Sequence, residues 1–396
     1  MFREGPRDNN FDLLRFAAAV LVIFSHCFPL VRGRDRDYEP LDRLSDHRLT
    51  FGVVAVYIFF AISGFLITRS WEQCPNLVQF LRKRAARIVP GYICATLLCV
   101  LVVGPVFGGC RLAGNAVLPG LFTMLRLNEI QIPGGFQHNP FPIHMYGSVW
   151  TIQYEAACYL GLALLGCLGV LGKRWIALAI LLLDLVVCAF LSIADQFGWS
   201  VSLDPTYPRL LAYFGAGMVF YLYRDRVPTK SWALSLAIGL VAAGLITPVA
   251  LNVALPLGGC YLLFWCAFQP YFKLQNFARR GDYSYGIYLY AFPIQQILIS
   301  LSPAAWSPLG LFFVATPASI LAGALSWHLV EKHFLTKRIA RVWSASGAGA
   351  GIPYANAVGS QTAISPVLAI LNSVNPFYSA TTARADQPQQ PRPHHQ

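Results

Sequence analysis

The chain has 396 residues, 56% of them hydrophobic and 12% charged, with a formal net charge of +12. Ordinary globular domains carry about 25% charged residues, so this composition excludes a soluble enzyme, a repeat solenoid and a disordered chain. The apolar residues come in blocks near the roughly 20 residues that cross a bilayer. In such a chain basic residues mark cytoplasmic loops, so the charge does not point to a nucleic-acid partner.

The pattern predicts an all-α fold, a polytopic membrane bundle of ten helices over residues 1–343. A disordered cytoplasmic tail rich in Ala, Ser, Gly, Pro and Gln is expected over 344–396. The spans are expected near 11–31, 51–69, 89–109, 147–171, 175–194, 209–224, 231–247, 249–269, 283–302 and 308–330. The first follows Arg3 and Arg7, as a signal peptide would, but no small-residue cleavage site follows it, so it reads as an uncleaved helix. With the N-terminus inside, the inner segments hold eighteen Lys and Arg and the outer loops seven. That asymmetry predicts an even span number with both termini cytoplasmic. In a bacterial cell the membrane would be the inner one. The ten cysteines are scattered with no C-x-x-C pair, and read as small buried hydrophobes.

Ionisable groups inside spans are functional candidates by default. The first span holds Asp12, Arg15 and His26. Eleven residues are close to three helical turns, so Arg15 and His26 share a face, about 16 Å apart along the axis. Asp12 sits one turn from Arg15 and is placed to pair with it. The plainer alternative is an Arg15 that snorkels and a His26 satisfied within the bundle. In the fourth span, counting residues from each boundary places Glu155 and His26 within about 4 Å of one depth. That suggests a base and its orienting carboxylate. Asp184 is a third acid in a span, without an evident partner, and reads as structural.

Arg82, Lys83, Arg84 and Arg87 crowd an inner boundary. Arginine forks match phosphate oxygens, so a phosphorylated cytosolic ligand fits, as does a purely topogenic role. Phe59-Phe60-Ala61-Ile62-Ser63-Gly64-Phe65 reads as close helix packing. His138 and His144 lack a third ligand, so no metal site is expected. Tyr285, Tyr288 and Tyr290 offer hydroxyls along the ninth span or an aromatic belt.

Taken together and in order along residues 11–335, these segments resemble the acyltransferase 3 family of membrane O-acyltransferases. Arg15-x10-His26 resembles its first-helix signature, and Phe59 to Ile67 its second-helix motif. Arg84-x-x-Arg87 resembles its arginine motif. Gly147-Ser-Val-Trp-Thr-Ile-Gln-Tyr-Glu155 resembles its Ser-Leu-Trp-Thr-x-x-x-Glu motif, and Ser284 to Leu289 its late tyrosine motif. Two positions depart from the pattern: Ala291 stands where members often have histidine, and His333 follows Glu331-Lys332 where they often have proline.

The resemblance is to stand-alone members, without the esterase-like domain that some carry. It implies transfer of an acyl group, commonly acetyl, from cytosolic acyl-CoA as co-substrate to a hydroxyl of a carbohydrate or lipid-linked glycan. No further cofactor is implied. His26 would act as base with Glu155 orienting it, or less directly through an acyl-histidine. Arg15, Arg84, Arg87, Ser148, Trp150 and Tyr288 would bind substrate. The competing reading from the residues is a multi-span transporter or flippase of a phosphorylated or glycan substrate. Inverted repeats between halves, which would favour it, are not evident.

Overall fold

The computed structural model describes residues 9–33, 39–109, 117–129, 135–142, 144–269, 277, 281–302 and 306–335. The tail expected over 344–396 lies outside them. Among the described residues there is no strand. Helix α1 spans Phe11–Arg32, and α2 is a short turn at Pro40–Leu44. Then come α3 (Phe51–Gln73), α4 (Leu77–Phe107, with a π-turn at Cys99–Val103) and α5 (Val117–Leu125). A 3-10 turn at Gly147–Thr151 leads into α6 (Ile152–Cys167), followed by α7 (Arg174–Gln196) and α8 (Thr206–Leu222). The last four are α9 (Ser231–Gly244), α10 (Pro248–Ala267), α11 (Ser284–Leu301) and α12 (Pro308–Leu335).

Each of the ten expected spans falls on one of these helices. Six, namely α1, α3, α4, α7, α10 and α12, are long and apolar enough to cross a bilayer by length and composition alone. One boundary differs clearly. The third span was expected from residue 89, but α4 begins at Leu77, where Asn76 Oδ1 caps the helix by accepting from Gln79 N at 2.9 Å. An Asn cap satisfies an end N–H that an apolar segment cannot. The arginine cluster is therefore helical, and Arg84 and Arg87 project from successive turns.

At one end of the bundle Asn10 N donates to Ala267 O at 2.8 Å, joining the start of α1 to the end of α10. At the other, Arg48 Nη1 donates to the carbonyls of Leu245 and Ile246 at 2.7 and 2.9 Å, just past α9. The first end is called proximal below, the second distal.

Small residues set the tightest crossing. A Cβ at Gly64 of α3 would lie 2.0 Å from Phe214 O, and one at Gly217 of α8 would lie 2.0 Å from Ala61 O. Backbone approach of this kind gains dispersion contacts where lipid offers no hydrophobic drive. The crossing also fixes the neighbouring Ser63. Nearby, Phe65, Phe220 and Phe264 fill the proximal core, the last two stacked 4.3 Å apart. Helix α1 packs on α3, α11 and α12, which places its polar residues inside the bundle.

Candidate active site

The proximal part of the site is an ion-pair network that ties four helices together. Arg15 Nη1 donates to Asp282 Oδ2 at 2.7 Å, and Arg87 Nη2 donates to the same oxygen. Arg87 Nη1 also lies 3.5 Å from Glu331 Oε2, while Ser326 Oγ donates to Glu331 Oε1 at 2.8 Å. The Arg87 guanidinium sits 5.6 Å from the Tyr285 ring centre and 5.9 Å from that of Trp327, within cation–π range. Burial opposes ionisation of Asp282, but Arg15 and Arg87 outweigh it, helped by the hydroxyl and N–H of Ser284. The carboxyl is held well below the usual carboxylate range.

Sequence reasoning expected Arg15 to pair with Asp12. The salt bridge goes instead to Asp282, 267 residues away. Helical spacing sees neighbours within one helix and is blind to a carboxylate brought from another. Neither Asp282 nor Glu331 is marked as a functional candidate by the sequence pattern. An acid two residues before an apolar helix, and one closing the last helix, were the available signals.

Next to this network lies a cavity of about 100 Å³ lined by Arg15, Ser63, Arg84, Arg87, Glu155 and Tyr159, with Thr151, Tyr285 and Tyr288 above them. Glu155 accepts hydrogen bonds from the hydroxyls of Tyr159 and, at 3.3 Å, Ser63. Arg84 differs from Arg87. It has no salt bridge among the described residues, its buried Nε has no partner there, and its guanidinium lies 5.9 Å from the Phe80 ring centre.

His26 faces a second cavity, of about 420 Å³, on the distal side. Its ring packs edge-on against Phe292 at 5.3 Å, and its Nδ1 has no hydrogen-bond partner among the described residues. No hydrogen bond joins His26 to Glu155, so the direct pairing expected from their depths is not formed. The physical reason is local. Residues 147–151 form a 3-10 turn, which advances about 2.0 Å per residue instead of about 1.5. Met145 and Tyr146 before it are already fully buried. Both effects carry Glu155 toward the arginines.

The two cavities share Val56 and Tyr288. The Tyr288 hydroxyl donates to Ser148 O and lies 2.6 Å from Thr151 Oγ1, while Ser148 Oγ donates back to Tyr288 O at 2.9 Å. Ser148 thus locks α11 to the 3-10 turn. Trp150, from the same turn, is 37% exposed and lines the His26 cavity. Pro29 removes one N–H from α1, which frees the carbonyl of Ser25 beside His26. Gln295 is fully buried and steadies that stretch by donating to Ile23 O at 2.9 Å and to Cys27 Sγ.

The remaining candidates lie elsewhere. Asp184 is buried, its Oδ2 lacks a partner among the described residues, and it lines a separate apolar cavity between α6, α7 and α8. His144 pairs with Glu129 at 2.8 Å. No group of three metal-ligating side chains occurs among the described residues. Ala291 packs in a small core with Ala19, Ile23 and Cys27.

The described residues thus place a largely buried arginine–carboxylate network and an interior histidine within a bundle of membrane-length helices. The model of the acyltransferase 3 family, described as an acyltransferase domain, matches residues 8–328, and the chain belongs to that family. It is a multi-pass membrane acyltransferase. The chain is 28% identical to an O-acetyl transferase of Shigella phage Sf6, over 84% of this chain and 97% of that protein. It is 30% identical to Nodulation protein 10 of Rhizobium leguminosarum bv. viciae, over 84% and 95%. It is 28% identical to the Exopolysaccharide production protein ExoZ of Rhizobium meliloti (strain 1021), over 76% and 96%. No solved structure matches the chain.

Proposed function

We propose that the protein transfers an acyl group, acetyl in the simplest case, from acyl-CoA to a hydroxyl of a carbohydrate acceptor. The observation that carries this reading is the adjacency of two chambers. One is lined by Arg15, Arg84 and Glu155, the other by His26, and Val56 and Tyr288 border both. Phosphates of acyl-CoA suit the arginine side. A sugar hydroxyl is a weak nucleophile at neutral pH and needs a base such as histidine. The names of the phage and ExoZ relatives agree with acetyl transfer and with polysaccharide chemistry.

In this mechanism acyl-CoA enters from the proximal end, taken as cytoplasmic on the basic-residue asymmetry, with both termini on the cytoplasmic side of the inner membrane of a bacterial cell. The phosphates stay at Arg84, and the thioester arm extends past Val56 and Tyr288 toward His26. His26 removes the hydroxyl proton as the acceptor oxygen attacks the thioester carbonyl. The C–S bond then breaks, and the CoA thiolate leaves with the proton returned from His26. Glu155 balances charge among the arginines, positioning the donor. All these groups belong to the transmembrane unit expected over 1–343.

The test is incubation of membranes with radiolabelled acetyl-CoA, scoring label that is released from the polysaccharide fraction by mild base. Wild-type membranes should label this fraction, and His26→Ala membranes should not. Export of unmodified glycan without labelling would favour a flippase and overturn the reading.

A further inference from the structure

The His26 cavity contains more than the histidine needs. It is bordered by α2 and the turn after it, which bring Asp42 and His47 to the wall that Trp150 also lines. His47 Nδ1 lies 2.9 Å from Asp42 Oδ2, and their side chains are 53% and 14% exposed. The backbone is bent to make this contact. Asp46 and His47 are both left-handed, at φ 54° and 61°, and His47 N donates to Asp42 O at 2.8 Å. Two consecutive non-glycine residues in that region cost conformational energy that the fold must offset. Here Arg48 Nη2 holds Asp46 Oδ2 at 3.1 Å while Nη1 anchors the loop to the end of α9.

We propose that this distal cavity is the acceptor site, with Trp150 and the Asp42–His47 pair recognising a sugar ring whose hydroxyl is presented to His26. The assignment rests on the reading of the protein as a carbohydrate acyltransferase. Three features select this cavity. Its volume, about 420 Å³, falls in the roughly 300–1,000 Å³ range of small-molecule sites. Its walls combine aromatic side chains, Phe28, Trp150 and Tyr288, with a few polar groups. A pyranose offers the matching surfaces, an apolar C–H face for Trp150 and outward hydroxyls for Asp42 and His47. A carboxylate accepting from a hydroxyl makes a charge-assisted bond, and an imidazole already held by Asp42 needs little ordering on binding. Finally, His26 Nδ1 is buried in the wall of this cavity without a partner among the described residues.

The assignment separates acceptor residues from donor residues and is tested by kinetics. The protein in lipid nanodiscs is given labelled acetyl-CoA. Polysaccharide extracted from the envelope of cells expressing the protein is titrated as acceptor. Trp150→Ala and Asp42→Asn should each raise the acceptor KM about tenfold or more, the loss expected for one charge-assisted or fully stacked contact. The KM for acetyl-CoA should stay within about twofold of wild type, and Trp150→Phe, which keeps an aromatic face, should recover most of the acceptor KM. Trp150 is partly exposed, so its alanine variant folds even if the Asp42 variant does not. If both variants keep the wild-type acceptor KM, or shift the donor KM equally, the acceptor assignment is overturned while the transferase reading stands. If the wild-type protein transfers no label, that reading fails and the assignment fails with it.

Discussion

Arg15 and Arg87 end on one oxygen atom, Oδ2 of Asp282, although they come from different helices. Two like charges so close repel each other, and in a low-dielectric interior that repulsion is severe unless a counter-charge lies between them. Asp282 is that counter-charge, and Glu331 supplies a second on the far side of Arg87.

Asp282→Asn should therefore destabilise the protein more than loss of one hydrogen bond would. Removing one partner of a fully buried ion pair typically costs about 3–5 kcal/mol, and here, with side chains 16–22% exposed, the loss should be somewhat smaller. The pH dependence has a defined sign. The folded carboxyl is held below its ordinary value of about 4, so its stabilisation is fully present above that value. It is lost only as pH falls through the lower folded value. The melting temperature of the Asn variant in detergent should lie below wild type at pH 7, and the gap should persist to about pH 5. A gap that closes between pH 7 and 5 would show that Asp282 is not the anionic bridge.

The two arginines of the Arg84-x-x-Arg87 motif should respond differently to lysine. Arg87 is engaged by Asp282 and Glu331, and lysine cannot fork between them. Arg87→Lys should lower the melting temperature and the amount of folded protein. Arg84 carries no such duty and borders the cavity. Arg84→Lys should fold normally and raise the KM for acyl-CoA by about ten- to a hundredfold, the range for one charge-assisted contact. Donor titration and thermal melts on both variants check this. Equal behaviour of the pair would remove the distinction.

Much of this architecture was legible in the sequence. Apolar blocks near membrane length each fall on a helix, because backbone groups in lipid must bond internally and few solutions exist, and six of those helices are long and apolar enough to cross. Small residues at Ser63-Gly64 announced a close crossing, and Gly64 makes one against Phe214. Ionisable residues inside spans marked Arg15, His26 and Glu155 as site candidates, and each lines an interior cavity. What the sequence could not convey was partnership. Asp282 lies just outside a span, so no rule about buried charge selects it, yet it holds both arginines. Depth counting also assumed an α-helical rise through residues that form a 3-10 turn, and so set Glu155 level with His26.

His26→Ala should abolish transfer while leaving the bundle assembled. Loss of a general base typically costs about 10²–10⁴-fold in rate. A packing defect beside a cavity of this size should cost far less. Glu155→Gln keeps an oxygen acceptor for Tyr159 and Ser63 and should be milder, acting mainly on donor KM. Rates measured at matched membrane abundance check both. An alanine variant retaining more than about a tenth of wild-type rate would exclude His26 as the base.

The crossing of α3 and α8 should be intolerant of a single methyl group. A Cβ at Gly64 would fall 2.0 Å from Phe214 O, a backbone atom that cannot rotate away. Gly64→Ala must push the two helices apart, and overpacking of this kind costs about 1–3 kcal/mol or more. The effect reaches the site, because Ser63 is the adjacent residue and its hydroxyl donates to Glu155. Gly64→Ala is therefore expected to lower both the melting temperature and the transfer rate. Gly161→Ala supplies the control. It lies in α6 with nothing within 4 Å of the added methyl, and alanine is the better helix former by about 1 kcal/mol. That variant should melt at or slightly above the wild-type temperature and transfer at the wild-type rate. Equal melting of the two variants would show that the α3–α8 contact is looser than the glycine geometry requires, and would leave Ser63 without the anchor that holds it on Glu155.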